Sequence, residues 1–249
     1  IEDNDKVRRH KPTLWTIWGI PKAIITGNSI LVLGNKVLNN MTKNGSTEKD
    51  LFLSQKILTE SYLKMMEGQF LDISFEKEKN ISLEKYLKMI SLKTGALIEC
   101  SVTLGAIASK KDIDNFLYNL VSTFGRDIGL LFQIRDDLLG VWGTDKTGKP
   151  VGADIKRKKK SLPIILSLSS ENKSASEKIN EILSKQGLEQ EDVNDIMDVM
   201  DVLKIKEKCE EISKNYQLSI EGTIEKLPID KDQKIIFKEI SEFLISREN

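Results

Sequence analysis

Apolar residues recur at the three- and four-residue spacing of an α-helix along almost the whole chain, and no stretch keeps the alternation of a strand. This pattern predicts a long helix capped by Ser46, a second that begins after Ser82 and a third over about residues 111–141. Glycines and a proline between residues 143 and 152 interrupt the pattern. An apolar helix over residues 162–168 follows, then shorter helices that close with residues 235–245. The predicted fold class is all-α.

Nothing in the sequence divides this helical pattern into parts. The Ser-, Lys- and Glu-rich stretch 169–176 is too short for a domain linker, and no internal repeat is present. We therefore expect one domain over residues 1–249, a single bundle of long helices. Ile1 is not an initiator methionine, and residues 1–13 look like the end of a helix that runs into a charged turn. We expect the helices that precede it to be missing.

Composition excludes several classes of function. The formal net charge is +0, so no overall field attracts nucleic acid or a membrane. Apolar stretches such as 162–168 are far shorter than the roughly 20 residues of a transmembrane helix. Two isolated cysteines, Cys100 and Cys209, rule out a disulfide framework and predict a cytoplasmic protein. With His10 as the single histidine, carboxylates, lysines and arginines must carry any chemistry.

The strongest chemical signal is a pair of carboxylates, Asp136 and Asp137, within an apolar helix. Adjacent buried carboxylates are costly, because like charges repel and desolvation penalises both. A divalent cation offsets that cost, and Mg²⁺ prefers one or two carboxylates together with waters and substrate phosphates. A solvated helix end is the alternative interpretation, and apolar neighbours such as Leu131 and Leu138 disfavour it.

A basic segment follows the carboxylates. Residues 144–160 hold two aspartates, Asp145 and Asp154, and seven cationic residues: Lys146, Lys149, Lys156, Arg157, Lys158, Lys159 and Lys160. A lysine run by itself is most often a solvated surface, but beside paired carboxylates it favours a metal-bridged polyphosphate. The run GTDKTGK at 143–149 approaches a P-loop. However, Pro150 stands where a Ser or Thr is required and a helix precedes the run, which excludes that reading.

Four segments together carry a family resemblance. The run FQIRDDLLGVWGTDKTGKPVGADIKRKKKSLP, from residue 132, resembles the second aspartate-rich region of the trans-isoprenyl diphosphate synthases. IEDNDKVRRHKPTLW, from residue 1, resembles the tail of their first aspartate-rich motif and its double arginine. GQFLD at 68–72 and KTGALIE at 93–99 resemble their middle-helix signatures. The resemblance implies an isoprenoid-synthase-type helix bundle around a central cavity, here without its N-terminal helices.

The resemblance also implies roles for individual residues. Asp3 and Asp136 would hold Mg²⁺, with Asp137 in the same metal site as a supporting residue. Lys93, Asp136 and Lys159 would be catalytic, and Gln69 and Asp72 would line the cavity. Arg247 would help to bind isopentenyl diphosphate. The residues implied to contact substrate diphosphates are Arg8, Arg9, Lys93, Thr94, Gln133, Lys149 and Lys159.

Two positions depart from the family pattern. Gly140 stands where the second motif usually has its third aspartate, which predicts a weakened but working metal site. Because residue 140 lies one helical turn beyond Asp136, we expect Gly140→Asp to restore a carboxylate on the same face, with increased or little-changed activity. Asn28 stands where the family usually has an aspartate.

The function that the resemblance implies is Mg²⁺-dependent, head-to-tail condensation of an allylic diphosphate with isopentenyl diphosphate. Pyrophosphate would be released, and the product would be a short-chain (C15–C20) or longer trans-prenyl diphosphate. The protein would act as a homodimer. Two alternatives stay open: a class I terpene cyclase, and a non-catalytic regulatory subunit of a heteromeric synthase.

Overall fold

A computed structural model describes residues 1, 4–8, 11–78, 80–109, 113–143 and 151–246, with the side chains of 244–246 excepted. The described chain is helical almost throughout, which confirms the predicted all-α class. It forms two compact units, Ile1–Leu58 and Thr59–Asn249, which are described separately. That residues 1–249 act as a single domain stays a prediction.

The first unit is built from short elements and one exposed helix. Its elements are β1 (Val7–Arg8), β2 (Lys11–Pro12), α1 (Leu14–Trp18), α2 (Ile20–Leu38), a 3₁₀ turn (Thr42–Asn44) and the start of α3 (Glu48–Phe75). The expectation that residues 1–13 form the end of a helix and a charged turn is wrong for the described part of this segment, since β1 and β2 pair antiparallel with Val7 opposite Pro12. Strands of two residues are too short to show an alternating pattern.

The N-terminus of α3 shows how local side chains fix a helix start. Thr47, and not the predicted Ser46, caps the helix. The Asp50 amide donates to Thr47 Oγ1 at 3.1 Å, and the Thr47 amide donates to Asp50 Oδ2 at 2.9 Å. This reciprocal pair requires an acidic or amide side chain three residues after the cap, which Asp50 supplies for Thr47.

The second unit holds the rest of the chain in helices of very different length. After α3 come α4 (Leu83–Ile90), a π-helical segment (Ser91–Gly95), α5 (Ala96–Ala108), α6 (Asn115–Trp142), α7 (Ala153–Lys156), α8 (Leu162–Leu168), α9 (Lys173–Ser184), α10 (Gln190–Val202), α11 (Ile205–Lys226) and α12 (Lys231–Ser246). Helix α6 begins later than the predicted residue 111, because Asp114 caps it by accepting from the Leu117 amide at 2.7 Å.

Helix α6 is the centre of this second unit. It packs along α5 on one side and along α11 on another. Its Ile134 and Leu138 lie in the main apolar core with Ile155 of α7 and Leu162 of α8, all at most 4% exposed. Full burial of each such side chain contributes about 1.5–3 kcal/mol of transfer free energy. The core therefore fixes α7 and α8 against the part of α6 that carries Asp136 and Asp137.

Helices α4 and α5 and the π-helical segment between them form one continuous run. Ser82, after which the sequence predicts a helix start, caps it by accepting from the Lys85 amide at 3.2 Å. A π-helical turn is rare and occurs mostly at functional positions. A Cβ built on Gly129 of α6 would lie 2.6 Å from the Gly95 Cα, so α6 and the π-helical segment meet at the backbone. This contact fixes the segment that carries Lys93 and Thr94.

The same run, Leu83–Ala108, contains a stretch that is long and apolar enough by composition to span a bilayer. It is the one helical run of this kind within the described ranges. Lys93 and Glu99 interrupt it, so the sequence shows no unbroken apolar stretch of transmembrane length here. Its Tyr86, Met89 and Ile90 lie in the main core at 1–3% exposure, and 33% of the apolar stretch is buried inside the protein.

Candidate functional site

A polar cleft opens in the second unit where α3, α4, the π-helical segment, α6 and the residues before α8 converge. Its lining combines ionisable and apolar side chains: Asp72, Tyr86, Met89, Ile90, Lys93, Gln133, Asp137, Lys159 and Lys160. Four of the residues predicted for the site, Lys93, Gln133, Asp137 and Lys159, lie in this one cleft. Asp72, predicted to line a cavity, lies there as well.

Asp137 is almost fully enclosed in the cleft, with 1% of its surface exposed. It accepts from the Tyr86 hydroxyl at 2.6 Å and from the backbone amide of Leu162 at 2.9 Å. Gln133 Nε2 donates to it at 3.0 Å and Lys159 Nζ at 3.1 Å. A carboxylate offers about four acceptor positions, so these donors account for all of them.

The charges of Asp137 and Lys159 depend on each other. Burial alone would raise the pKa of Asp137, but Lys159 and the three other donors outweigh it, and this pKa lies below its ordinary value. Burial alone would lower the pKa of Lys159, but the charges of Asp137, Asp154 and Asp136 raise it. Both side chains are therefore charged at neutral pH, as an ion pair inside the protein.

A second ion pair and a hydrogen-bond relay complete the cleft. Lys93 of the π-helical segment pairs with Asp72 of α3. The adjacent Thr94 hydroxyl donates to Gln133 Oε1 at 2.8 Å, while the Gln133 amide donates to Asp137. The relay fixes the orientation of the Gln133 amide group, and the second N–H of that group is left for a ligand.

Lys160 is the charged lining residue to which the sequence assigned no role of its own, since it stood out only as a member of the basic segment. It is half-buried, burial lowers its pKa, and it has no hydrogen bond or ion pair with the described residues. The cleft thus holds three lysines against two aspartates, each of which is paired with a lysine. The excess positive charge and the unpaired ammonium group favour an anionic ligand.

Comparison with known proteins shows the family of this chain. A family model described as polyprenyl synthetase matches residues 1–200. The chain belongs to the polyprenyl synthetase family. This confirms the resemblance read from the four sequence segments.

Individual polyprenyl synthetase relatives agree in sequence and in structure. The chain is 34% identical over 178 residues to a geranylgeranyl diphosphate synthase of Mycobacterium tuberculosis, across 71% of this chain and 49% of that protein. It is 30% identical over 249 residues to the geranylgeranyl diphosphate synthase of Saccharolobus solfataricus, across 99% of this chain and 74% of that protein. The crystal structure of geranylgeranyl pyrophosphate synthetase from Pyrococcus horikoshii matches with a TM-score of 0.86 and 29% identity. The match covers 99% of this chain and 73% of that chain. The match spans about half the length of the mycobacterial relative.

Asp136 differs from Asp137 in its surroundings. It is half-buried, and its charge helps to raise the pKa of Lys159. No group of three or more potential metal ligands occurs among the described residues. A site with one accessible carboxylate beside cationic residues fits a Mg²⁺ ion that arrives with a phosphate ligand, since Mg²⁺ usually takes few protein ligands. It does not fit a preformed cage of protein ligands.

Several predicted residues belong to the first unit or lie outside the described residues. Arg8 is exposed in β1 of the first unit. Asp3, Arg9, Lys149 and Arg247 lie outside the described residues, and their roles stay predictions.

The packing at Gly140 argues against the expectation for Gly140→Asp, whose effect on activity stays a prediction. A Cβ built on Gly140 would overlap the carboxylate of Asp154 and lie 2.9 Å even from its Oδ1. The place of the expected third aspartate is already filled, so residue 140 has no room for a side chain.

The hydroxyl of Tyr86 gives a direct test of the Asp137 cluster. We expect Tyr86→Phe to lower the free energy of unfolding by about 1.5–3 kcal/mol, because a buried carboxylate loses one of its four donors. Tyr216→Phe is the control: Tyr216 is half-buried, and its hydroxyl has no hydrogen bond to any described residue. Urea unfolding followed by circular dichroism measures both changes. Equal losses in the two variants would contradict a structural role for the Tyr86–Asp137 bond.

Proposed function

We propose that the protein condenses an allylic diphosphate with isopentenyl diphosphate head to tail and releases pyrophosphate. The observation that carries the proposal is the convergence of Lys93, Lys159 and Lys160 in one cleft, next to the Asp136–Asp137 pair. The relatives named geranylgeranyl diphosphate synthase support the same reaction class. The substrates, the product length and the activity of the whole protein belong to the proposal.

The proposed reaction separates charge, and the cleft suits that separation. The bond between the allylic carbon and the diphosphate oxygen breaks, and pyrophosphate leaves with the electron pair. The double bond of isopentenyl diphosphate then attacks the allylic carbon, and the adduct loses a proton to form the new double bond. Negative charge grows on the leaving oxygens, so cations already held in place stabilise the transition state.

Lys159 is the best-positioned of these cations. Its ammonium group has three N–H donors, and Asp137 and Asp154 accept two of them at 3.1 and 3.3 Å. One donor is therefore left for a diphosphate oxygen. Thr94 and Gln133 contribute uncharged polar groups beside it. Lys93 contributes a second positive charge once a diphosphate competes with Asp72 for its ammonium group.

We propose Mg²⁺ as the cofactor, with Asp136 as its ligand on α6 and Asp3 as a ligand from the first motif. Bound Mg²⁺ would neutralise charge on the departing pyrophosphate. Asp137 supports this site indirectly, because its four acceptor positions are taken by Tyr86, Gln133, Lys159 and the Leu162 amide.

The decisive assay incubates the full-length protein and Mg²⁺ with each allylic diphosphate, with and without isopentenyl diphosphate, and identifies products by mass spectrometry. A longer prenyl diphosphate that needs isopentenyl diphosphate supports the proposal. Products that form without isopentenyl diphosphate would indicate a terpene cyclase. No product from any combination would indicate a regulatory subunit.

Asp136→Ala tests the metal ligand. We expect turnover to fall by about 10²- to 10³-fold, because a preorganised electrostatic group at the leaving diphosphate is lost. Asp198→Ala, which removes an exposed carboxylate on α10, is the control and should keep full activity. Initial rates at saturating Mg²⁺, with the fold checked by circular dichroism, decide the matter. Full activity of Asp136→Ala would refute its role.

Lys160→Gln tests the unpaired ammonium group of the cleft. We expect KM for the allylic diphosphate to rise roughly tenfold, since one charge-assisted hydrogen bond to the substrate is lost. Lys208→Gln, an exposed change on α11, is the matched control. Steady-state kinetics with the allylic diphosphate varied gives both constants. An unchanged KM would exclude Lys160 as a substrate contact.

We also propose that the protein is a homodimer. Helix α2 supports this, because it leaves Ile25, Val32 and Val37 more than 60% exposed, and such apolar helix surface is normally covered by a partner. Static light scattering of the full-length protein at micromolar concentration should give twice the mass of one chain. The mass of a single chain would contradict the proposal.

A further inference from the structure

Gly140 lies near the C-terminal end of α6, shortly after Asp137, and its lack of a side chain needs an explanation. It is buried, and its φ is not positive, so its backbone conformation does not require glycine. A glycine inside a helix costs about 0.5–1 kcal/mol relative to alanine. What Gly140 supplies is space, because the Asp154 carboxylate occupies the volume that a Cβ would need.

The backbone around α7 holds Asp154 in that space. The Gly152 amide donates to the Val141 carbonyl of α6 at 3.0 Å, which ties the start of α7 to the residue next to Gly140. Gly152 takes a left-handed conformation with φ of 72°, and α7 begins directly after it. Asp154 is only 5% exposed as a result, so its carboxylate needs polar partners inside the protein.

Lys159 is the cation that Asp154 holds. The Lys159 amide donates to the Asp154 carbonyl at 2.9 Å, and its ammonium group lies 3.3 Å from Asp154 Oδ2. The same ammonium group lies 3.1 Å from Asp137 Oδ1. Two carboxylates from different helices, α6 and α7, therefore bracket one ammonium group, which leaves it little freedom to move.

We propose that Asp154 is a positioning residue that replaces, from α7, the carboxylate that α6 lacks at position 140. Gly140 leaves the space that the Asp154 side chain occupies. From there Asp154 fixes the Lys159 ammonium group opposite Asp137 for a diphosphate ligand. The proposal rests on the proposed function for the identity of that ligand. The packing of Asp154 on Gly140 is independent of it.

Two single variants separate space from charge. Gly140→Ala adds one methyl group and should lower the melting temperature by roughly 3–10 °C, because it overpacks against a fixed carboxylate. Gly222→Ala, in α11 with no atom within 4 Å of a built Cβ, is the control and should not lower it.

Asp154→Asn keeps the shape and removes the charge. It should weaken the affinity for Mg²⁺-pyrophosphate about tenfold, as expected when a charge-assisted contact no longer orients the lysine.

A swapped double variant then tests whether the two positions act as one unit. Gly140→Asp alone should be the least stable and least active variant, since two carboxylates compete for one space. Asp154→Ala empties that space, and adding it to Gly140→Asp should recover most of the melting temperature and of the pyrophosphate affinity. Thermal unfolding by circular dichroism and titration calorimetry with Mg²⁺-pyrophosphate measure these effects on the full-length protein. In a prenyl transfer assay, Asp154→Asn should raise KM for the allylic diphosphate more than it lowers kcat.

Failure of this inference is distinguishable from failure of the proposed function. A wild-type protein that makes prenyl diphosphates, with Asp154→Asn binding Mg²⁺-pyrophosphate as the wild type does, would overturn the inference alone. So would Gly140→Ala as stable as the Gly222→Ala control. A wild type without prenyl transfer, but with recovery in the swapped double variant, would overturn the proposed function and support the coupling of residues 140 and 154.

Discussion

The buried carboxylate of Asp137 is the constraint on which the cleft depends. An unpaired charge in a protein interior is far too costly to persist, so every donor around it must be in place. Its donors come from α4, from α6 itself, from the segment before α8 and from the first amide of α8. One side chain thus links three helices at the point where the lysines converge. The polar network and the apolar core that contains Ile134 and Leu162 specify the same arrangement of helices.

The sequence predicted the carboxylate pair but could not show which aspartate is buried in an ion pair and which is the candidate metal ligand. Consecutive residues of a helix point in directions about 100° apart, so Asp136 and Asp137 face different surroundings. The apolar periodicity of a helix does not show which of two adjacent residues is buried until the packing around the helix is known. Lys160 was hidden for a related reason, since a run of cationic residues carries no information about which member enters a cleft. Asp154 was missed because it lies on a different helix from Gly140, and spacing along the sequence does not show that the two positions meet.

Most helices followed from apolar spacing, and the discrepancies have local causes. The helix start after Ser82 was predicted correctly, whereas Thr47 was missed in favour of its neighbour because its partner, Asp50, is a second side chain. Asp114 shortens the start of α6 in the same way. The π-helical segment was not predicted at all: it shifts the helical phase by a single residue, which a 3.6-residue pattern absorbs without visible change.

The backbone contact between Gly129 and Gly95 makes the cleft sensitive at a distance from its chemistry. Neither glycine carries a polar atom in its side chain, yet any side chain at position 129 would displace the segment that carries Lys93 and Thr94. Substitutions that alter ligand affinity should therefore map along the α6 surface that faces this segment, as well as around the charged residues. Variation between related enzymes at such positions would retune the lysine geometry while leaving every charged group in the sequence unchanged.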